Sequence, residues 1–274
     1  MKSKNVEIEI FPIAKTVIDG QEVRKWLENL GVENYSIPED NEYTDAAFLV
    51  ALAAKQCYLS FEPGLNPNVT KVRKDLTEYL DNILKSGHGS VLEHVTFTFA
   101  INNISRVFTG EMNRHRAGWA ISERSMRYIR FQDCINWWLP ISLRENSDDN
   151  YKMSQLKAHS RELFHQAFDN QQQIYKRLVE IWDMDASDKN FHYKKIVTSC
   201  LRRIIGMGCA TGGVWTGNVR ALRHVIAMRA SSVAEEEICY VFSKIAAMMV
   251  ESEPMLFGDF TEVNGFWTPK YQKV

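Results

Sequence analysis

This sequence has no apolar, uncharged stretch of the roughly 20 residues that a membrane-spanning helix requires. Its first residues, MKSKNVEIEIF, contain no apolar run leading to a small-residue cleavage site, so we expect no secretory signal. Neither charge is in excess, since 33 Lys and Arg residues balance 34 Asp and Glu residues. Long-range attraction to nucleic acid is therefore not expected. These absences predict a cytoplasmic protein that acts without a membrane and without nucleic acid.

Cysteine is scarce, and its spacing suggests no pairs. The five cysteines are Cys57, Cys134, Cys200, Cys209 and Cys239. An odd number without short paired spacings is typical of reduced thiols in a cytoplasm-like compartment. No set of Cys and His has the spacing of a zinc site, and no His-Glu-x-x-His motif occurs. We therefore expect no metal site.

The composition is that of an ordinary globular protein, with 274 residues of which 45% are hydrophobic and 24% charged. Hydrophobic periodicity and turn residues predict strands over 5–12 and 91–99, helices over 45–58, 75–85, 151–182 and about 218–249, and breaks at 61–70 and 206–213. Early strands and late helices are typical of an α+β fold, here a mixed sheet core flanked by long helices. No low-complexity linker divides the chain, so we interpret 1–274 as a single domain, with 1–44 as an N-terminal extension or strand.

A dense arginine cluster lies in the segment NRHRAGWAISERSMRYIRF (113–131). Its arginines are Arg114, Arg116, Arg124, Arg127 and Arg130. Guanidinium groups suit phosphate oxygens because each can donate two parallel, charge-assisted hydrogen bonds. A solvated basic loop is the alternative interpretation. Interleaved apolar residues such as Trp119 and Ile121 favour partial burial, where an unpaired guanidinium is costly.

A second basic segment, NVRALRHVIAMR (218–229), reads as a helix. Arg220 and His224 would lie one turn apart on the same face, whereas Arg229, nine residues beyond Arg220, would lie on nearly the opposite face. Asn218 is a plausible helix N-cap. The segment could therefore present two ligand-binding faces, or it could be an amphipathic helix with solvated arginines.

Four segments, in this order, resemble the flavin-dependent thymidylate synthases. AAKQCY (53–58) resembles the family's Ala-Ala-Arg-x-Cys/Ser-Tyr helix end, and HGSVLEHVTFTF (88–99) its His-x-Ser/Thr-x-x-Glu-His segment and following strand. RHRAGWAISERSMRY (114–128) resembles its Arg-His-Arg, spacer, Ser and closing Arg-Tyr. NVRALRHVIAMR resembles its Asn-x-Arg-x-Leu-x-Asn/His-x-x-x-Leu-Arg helix. The resemblance covers about residues 45–255.

The resemblance implies an enzyme that moves the methylene carbon of 5,10-methylenetetrahydrofolate to C5 of dUMP, with hydride from reduced FAD and with NADPH as reductant. It also implies a homotetramer whose active sites lie where subunits meet. No cysteine nucleophile is required in this scheme, because the cofactor supplies the difficult chemistry. The resemblance thus implies that the single domain, 1–274, is a catalytic domain.

The resemblance also implies the site residues. Those expected to contact FAD are Ser90, Arg114, His115, Arg116, Glu123, Asn218, Arg220 and His224. Those expected to line the nucleotide pocket are Glu111, Arg114, Glu123, Arg124, Ser125, Met126, Arg127 and Arg229, with an upstream arginine for which Arg203 aligns slightly better than Arg202. Arg229 is the expected catalytic residue, since a guanidinium at the N3/O4 edge of uracil stabilises the anion that makes C5 nucleophilic. Ser125 is interpreted as a hydroxyl donor to phosphate, because no His-Asp pair is placed to activate it.

Several positions depart from the family's usual sequence. Glu111 replaces a Gln near the phosphate, where a carboxylate repels the anion unless an arginine intervenes. Ser122 replaces an Asn, the spacer contains Trp119, Val233 replaces a His that often contacts flavin, and Gly206–Gly208 follows the upstream arginine where Leu-Pro is common. These departures concern the nucleotide more than the flavin. dUMP is the expected substrate, and UMP or a modified pyrimidine nucleotide is the alternative.

Other function classes fit less well. A nicotinamide dehydrogenase requires Gly-x-Gly-x-x-Gly after a strand, and GMGCAT (206–211) ends in Thr where the third Gly belongs. An RNA-binding module would use the mixed arginines and aromatics at 114–131, but with a wider basic surface and a higher isoelectric point than about 6.7. A non-catalytic flavoprotein remains a third alternative, although Arg127 and Arg229 are both present.

Overall fold

The computed structural model describes residues 2–32, 35, 43–131 and 134–274, so parts of the predicted N-terminal region 1–44 lie outside the described residues. The strands are β1 (Lys4–Asn5), β2 (Glu9–Lys15), β3 (Thr96–Ser105), β4 (Trp119–Glu123), β5 (Asn136–Trp137), β6 (Ala210–Asn218), β7 (Phe260–Val263) and β8 (Phe266–Pro269). The α-helices are α1 (Gly20–Asn29), α2 (Asp45–Tyr58), α3 (Leu76–Ser86), α4 (Arg106–Met112), α5 (Tyr151–Ile181), α6 (Phe191–Leu201), α7 (Val219–Arg229), α8 (Glu236–Ser252) and α9 (Pro254–Phe257). Short 3-10 helices cover Gly89–His94, Ile141–Leu143 and Arg202–Ile204.

The central sheet has four strands in the order β2-β3-β6-β4, and every neighbouring pair is antiparallel. A parallel pair, β1 with β5, and a hairpin, β7 with β8, lie outside it. Long helices pack against the sheet, so the predicted α+β architecture is confirmed. Within the described part of the chain, no helix is both long and apolar enough to cross a bilayer.

The main hydrophobic core lies between the sheet and helices α2, α3, α7 and α8. Fully buried side chains from each layer meet there, including Val50, Leu80, Phe99, Leu222 and Phe242. A residue of this kind contributes roughly 1.5–3 kcal/mol when it is removed from water. The core therefore fixes the sheet relative to the helices packed on it, and predicted site residues lie at the end of β4 and at the start of α7.

Helix capping explains where two of the predicted helices begin and end. The prediction of a helix over 45–58 is confirmed at both ends, and Thr44 Oγ1 accepts a hydrogen bond from the Ala47 backbone N–H at 3.1 Å. The helix predicted over 75–85 begins one residue later, because Asp75 is its N-cap. Gly87 ends it in the left-handed conformation, with φ of 73°, which suits a residue without Cβ.

Helix α5 confirms the strongest helical prediction, but its apolar residues are only partly covered within one chain. The buried residues of this helix are Phe168, Gln172, Tyr175 and Val179. Apolar residues left exposed along it are Leu156, Leu163, Phe164, Ile174 and Ile181. The predicted apolar periodicity is therefore present, and part of that surface faces outward in the single chain.

The prediction of a glycine-rich break over 206–213 is wrong in its second half. Residues from Ala210 onward form β6, an inner strand of the sheet, although Gly interrupts the usual strand signal. The glycines are needed for close approach: a Cβ on Gly213 would overlap the carbonyl oxygen of Ser122, and one on Gly217 would lie 2.8 Å from the ring of Trp119. Small residues here let β4 and its side chains lie close against β6.

Three other predicted boundaries are wrong. The helix predicted over 218–249 is two helices, α7 and α8, separated by residues 230–235. The strand predicted over 5–12 is divided into β1 and β2, and the one predicted over 91–99 begins only at Thr96, after the 3-10 helix Gly89–His94. Periodicity alone does not reveal where one element ends and the next begins.

Candidate active site

A groove of about 530 Å³ lies at the end of β4. We call it the arginine groove, and its lining residues are Arg106, Glu123, Arg124, Ser125, Met126, Arg202, Arg203, Ile205, Gly206 and Met207. It brings together the predicted nucleotide residues Glu123, Arg124, Ser125, Met126 and Arg203. Arg202 and Arg203, the two candidates for the upstream arginine, both line the arginine groove. With four arginines and one glutamate, the groove suits an anionic ligand.

Glu123 is held in the arginine groove by two neighbours that the sequence did not predict. Arg106 Nη1 donates to Glu123 Oε1, and Asn113 Nδ2 donates to Glu123 Oε2 at 3.0 Å. Arg106 Nη2 donates to the Arg124 carbonyl at 2.7 Å. The side chains of Arg106 and Glu123 are only 20% and 18% exposed, so water screens this ion pair weakly. Arg106 follows an apolar strand directly, and that position was the only sequence signal for it.

Two other groove arginines, Arg124 and Arg203, are oriented by protein acceptors and have N–H donors left for a ligand. Arg124 Nη2 donates to Asn102 Oδ1 at 2.8 Å, and Arg203 Nη1 donates to the Ser199 carbonyl at 2.7 Å. Each guanidinium has five N–H donors, so these single bonds leave others for a ligand. Preorientation of this kind lowers the conformational entropy that is lost on binding.

A second group, the histidine cluster, consists of Glu111, His115, His224 and Arg229. Arg229 Nε donates to His115 Nε2 at 2.9 Å, and the rings of His115 and His224 lie 6.4 Å apart. Because His115 Nε2 accepts this bond, its proton is on Nδ1 and the ring is neutral. Burial, Arg229 and His224 all lower the pKa of His115, against a smaller opposing effect of Glu111. The cluster therefore contains a neutral imidazole beside a fixed positive charge.

Glu111, one of the departures from the family sequence, is neutralised within the same cluster. Its Oε2 lies 3.1 Å from Arg229 Nη1, and its Oε1 lies 3.9 Å from Arg114 Nη1. An arginine therefore does intervene at this carboxylate, as the sequence argument required. The side chain of Arg229 is 18% exposed, so it is positioned by contacts rather than by solvent.

A third group, the Arg220 cleft, consists of Ser90, Glu93, Asn218, Arg220 and Val274. Arg220 lines two cavities, one of about 360 Å³ with Ser90 and one of about 330 Å³ with Asn218. Its Nη1 donates to Glu93 Oε1 at 2.7 Å, and its Nε donates to the Val274 carbonyl at 3.3 Å. Asn218 Oδ1 accepts from the Ala221 backbone N–H at 2.8 Å, which confirms Asn218 as the N-cap of α7.

The strand register sets the distance between the groove and the cleft. Glu123 pairs with Gly213 on β6, whereas Trp119 pairs with Gly217, next to Asn218. Four residues of extended strand span about 14 Å. Glu123 therefore lies at the opposite end of β4 from the Arg220 cleft, and one chain does not bring all the predicted flavin residues together.

Four predicted arginines line none of these pockets in the single chain: Arg229, which lies in the histidine cluster, and three others. Arg114, Arg116 and Arg127 are exposed, and none of them lines the arginine groove or the two cavities of the Arg220 cleft. The Arg127 backbone N–H donates to Ser125 Oγ at 3.3 Å, which fixes the turn but not the guanidinium. Neither cavity that Arg220 lines contains Arg116.

The chain that carries these groups is similar to known proteins. The family model described as Thymidylate synthase complementing protein matches residues 41–255, which contain the arginine groove and the histidine cluster. The chain belongs to the flavin-dependent thymidylate synthase family. The flavin-dependent thymidylate synthase of Mycobacteroides abscessus is 32% identical over 214 residues, or 77% of this chain and 78% of the relative. That of Corynebacterium diphtheriae is 30% identical over 223 residues, or 81% of each chain.

Solved structures agree on the fold. The UMP/dUMP methylase PolB from Streptomyces cacaoi, bound with 5-Br UMP, superposes with a TM-score of 0.62 at 15% identity, covering 94% of this chain and 95% of that chain. The same protein bound with 5-Br dUMP gives a TM-score of 0.59. The family predicted from the four sequence motifs is thus confirmed, and so is the expectation of an enzyme.

A fourth cavity lies away from the predicted site residues. It measures about 480 Å³ and contains buried Lys55, whose Nζ donates to the Arg73 carbonyl at 3.1 Å and lies 4.6 Å from the centre of the Tyr79 ring. Burial lowers the pKa of Lys55. The lysine joins α2 to the loop at 60–73, which is a structural use of a buried cation.

Proposed function

We propose that this protein is an FAD-dependent thymidylate synthase that methylates C5 of dUMP. The methylene carbon of 5,10-methylenetetrahydrofolate would become the methyl group, and C5 would lose its proton. NADPH would serve as the reductant. The observation that supports this most directly is the arginine groove, where five nucleotide residues predicted from the family motif lie together.

In the arginine groove, arginine side chains would bind the phosphate. Arg124 and Arg203 are oriented by single bonds to Asn102 and Ser199 and retain free N–H donors. Ser125 would add a hydroxyl donor. Charge-assisted bonds of this kind are about twice as strong as neutral ones, and paired donors also fix the orientation of the phosphate.

Arg229 would act on the pyrimidine ring. Its guanidinium is fixed by His115 and Glu111, so little reorganisation is needed when negative charge develops at the N3/O4 edge. Neutral His115 would leave Arg229 as the cation of this pair. The side chains therefore polarise and orient the substrate.

Flavin would be held by the Arg220 cleft together with His224 and residues of the Arg-His-Arg motif. The donor set fits an anionic, extended cofactor, because Arg220 borders both cavities and Ser90 and Asn218 lie on either side of it. When bound, reduced flavin supplies the hydride. A Cβ on Gly89 would lie 2.6 Å from Arg220 Nε, so the main chain approaches this guanidinium as closely as a glycine permits.

We further propose that complete active sites form between subunits of a homotetramer. Glu123 and Arg220 lie at opposite ends of β4 within one chain, and Arg116 lines none of the pockets that contain predicted residues. A neighbouring subunit could supply the predicted flavin residues that one chain does not bring together. The exposed apolar residues along α5 offer a surface for such contacts.

UMP is the second candidate substrate, because the PolB structures that share the fold are described as those of a UMP/dUMP methylase. A cytoplasmic location remains a prediction, which rests on five cysteines that form no disulfide. We also retain the interpretation of 1–274 as a single catalytic domain.

Turnover of dUMP and UMP side by side tests the proposal. The purified protein should be yellow, release FAD on denaturation, and form thymidylate from dUMP only when methylenetetrahydrofolate and NADPH are present. Formation of methylated product from UMP alone would establish the second candidate. Absence of flavin, together with salt-dependent RNA binding, would reject both.

A further inference from the structure

The position of α4 depends on a buried carboxylate that no sequence motif predicts. Glu237, on the first turn of α8, is 2% exposed. Its Oε1 accepts from the Ser105 backbone N–H at 2.6 Å, and its Oε2 accepts from Ser105 Oγ. Ser105 is itself 3% exposed. Two donors from one residue therefore converge on one buried carboxylate.

Ser105 is the residue from which α4 starts. Its Oγ accepts from the backbone N–H groups of Val107 at 3.0 Å and Phe108 at 3.3 Å, as the N-cap of the helix. Since the oxygen already receives two N–H donors, its own proton points to Glu237. The next residue, Arg106, donates its backbone N–H to the Met207 carbonyl at 2.9 Å. The start of α4 is thus held by hydrogen bonds to Glu237 and to the Met207 carbonyl.

Both ends of α4 reach the proposed nucleotide site. At the start, Arg106 contacts Glu123 and the Arg124 carbonyl in the arginine groove. At the end, Asn113 donates to the second oxygen of Glu123, and Glu111 pairs with Arg229. The helix has only 7 residues, so its two ends lie close together. A displacement at its start would therefore change the groove and the histidine cluster together.

We propose that Glu237 is a positioning residue for the nucleotide site, acting through Ser105 and α4. The proposal rests on the proposed function, since the ligand that it positions residues for is dUMP. Glu237 touches none of the reacting groups. It acts by holding Ser105, and hence Arg106 and Glu111, where they meet Glu123 and Arg229.

The electrostatic cost of this carboxylate gives the proposal a distinctive readout. Burial raises the pKa of Glu237 to about 7, and Glu235 and Glu236 on the same helix act in the same direction, while Ser105 opposes them. Across the helix interface, Glu111 on α4 raises the pKa of Glu235. At pH 8 the ionised Glu237 therefore opposes folding, and removing its charge relieves that cost. A positioning role predicts that the neutral variant folds at least as stably as wild type but binds nucleotide less well.

The test compares Glu237→Gln with Glu236→Gln in the full-length protein at pH 8. Glu236 is the matched control, because it has the same charge on the same turn but bonds to Ser142 instead. We expect Glu237→Gln to raise the Kd for dUMP about tenfold or more, as loss of a charge-assisted bond does. Flavin content and melting temperature should not fall. Glu236→Gln should stay within about twofold of wild type.

A second measurement makes the result independent of catalysis. Hydrogen exchange of the α4 amides should be faster in Glu237→Gln and unchanged in Glu236→Gln. Unchanged α4 protection, or a dUMP Kd within twofold of wild type, would overturn the proposal. If α4 loosens but wild type binds neither dUMP nor UMP, the proposed function fails and the anchoring of α4 stands.

A further variant covers the case in which Glu237→Gln does not fold. Ser105→Ala removes the hydroxyl partner from the other side of the contact, and we expect it to weaken dUMP binding as well. Where both variants fold, their effects on dUMP binding should be less than additive in the double variant, since both changes remove the bond between Ser105 Oγ and the Glu237 carboxylate. Wild-type affinity in Ser105→Ala would overturn the proposal.

Discussion

Replacing Arg229 by Gln is the sharpest test of the proposed chemistry. The change removes the guanidinium that donates to His115 Nε2 at 2.9 Å and pairs with Glu111 Oε2 at 3.1 Å. Gln is shorter, but its Nε2 takes the position of Arg229 Nε and can still donate a bond to His115. What is lost is the positive charge at the position where the uracil anion would develop.

The structure sets different magnitudes for catalysis and for stability. Loss of one preorganised donor to a developing anion costs about 10²–10³-fold in kcat. The effect on folding should be only about 1 kcal/mol, because Glu111, at 29% exposure, regains water when its partner leaves. Loss of the Arg229 charge should also raise the pKa of His115 towards its ordinary value, although burial and His224 still lower it.

Three measurements check this prediction. The rate of thymidylate formation should fall by two to three orders of magnitude, which is the estimate above for one donor. Urea unfolding should change little, and the His115 ring should titrate at higher pH in an NMR experiment. Arg130→Gln is a suitable control, because Arg130 pairs with exposed Asp185 away from the site. Activity of the Arg229 variant within about threefold of wild type would refute the assigned role.

Three further predictions concern stability. Arg223→Ala should destabilise the protein by about 3–5 kcal/mol in urea unfolding, because the change leaves Asp259 without its buried partner. The side chains of this pair are only 4% and 7% exposed. A loss of stability below about 1 kcal/mol would contradict this prediction. Gly213→Ala should lower the free energy of unfolding by about 1–3 kcal/mol and weaken dUMP binding, since the new Cβ would overlap the Ser122 carbonyl oxygen. Unchanged dUMP binding in calorimetry would count against the described register of β4 and β6. Burial raises the pKa of Glu253 above 4.5, so its contribution to stability is lost as the pH rises. Glu253→Gln should therefore reduce the fall in melting temperature between pH 5 and 8, and an unaltered pH profile would show otherwise.

The local signals in the sequence predicted the helices that capping residues delimit. Thr44 and Asp75 begin α2 and α3, and Gly87 ends α3 in the left-handed conformation, so composition and geometry agree. The long α5 helix followed from its apolar period. By contrast, β6 was missed, because glycines that usually mark a loop serve there to bring strands together. Only the neighbouring strand reveals that use.

In the candidate site too, local sequence signals predicted some residues and missed others. The motif residues Arg124 and Ser125 were predicted, and they do line the arginine groove. Arg106, Asn113 and Glu237 were missed, because each acts through a partner at least 10 residues away in sequence. Contacts of that kind follow from the packing of α4 against α8 and β4, which one sequence without a structure does not specify.

The glycines of β6 have a practical consequence for engineering this enzyme. A Cβ at Gly212, Gly213 or Gly217 would overlap neighbouring atoms, so a library should leave these three positions unchanged. Directed evolution towards other pyrimidines is better aimed at the groove walls around Met207, which is exposed and flexible. The three glycines should stay unchanged while the residues around Met207 are randomised.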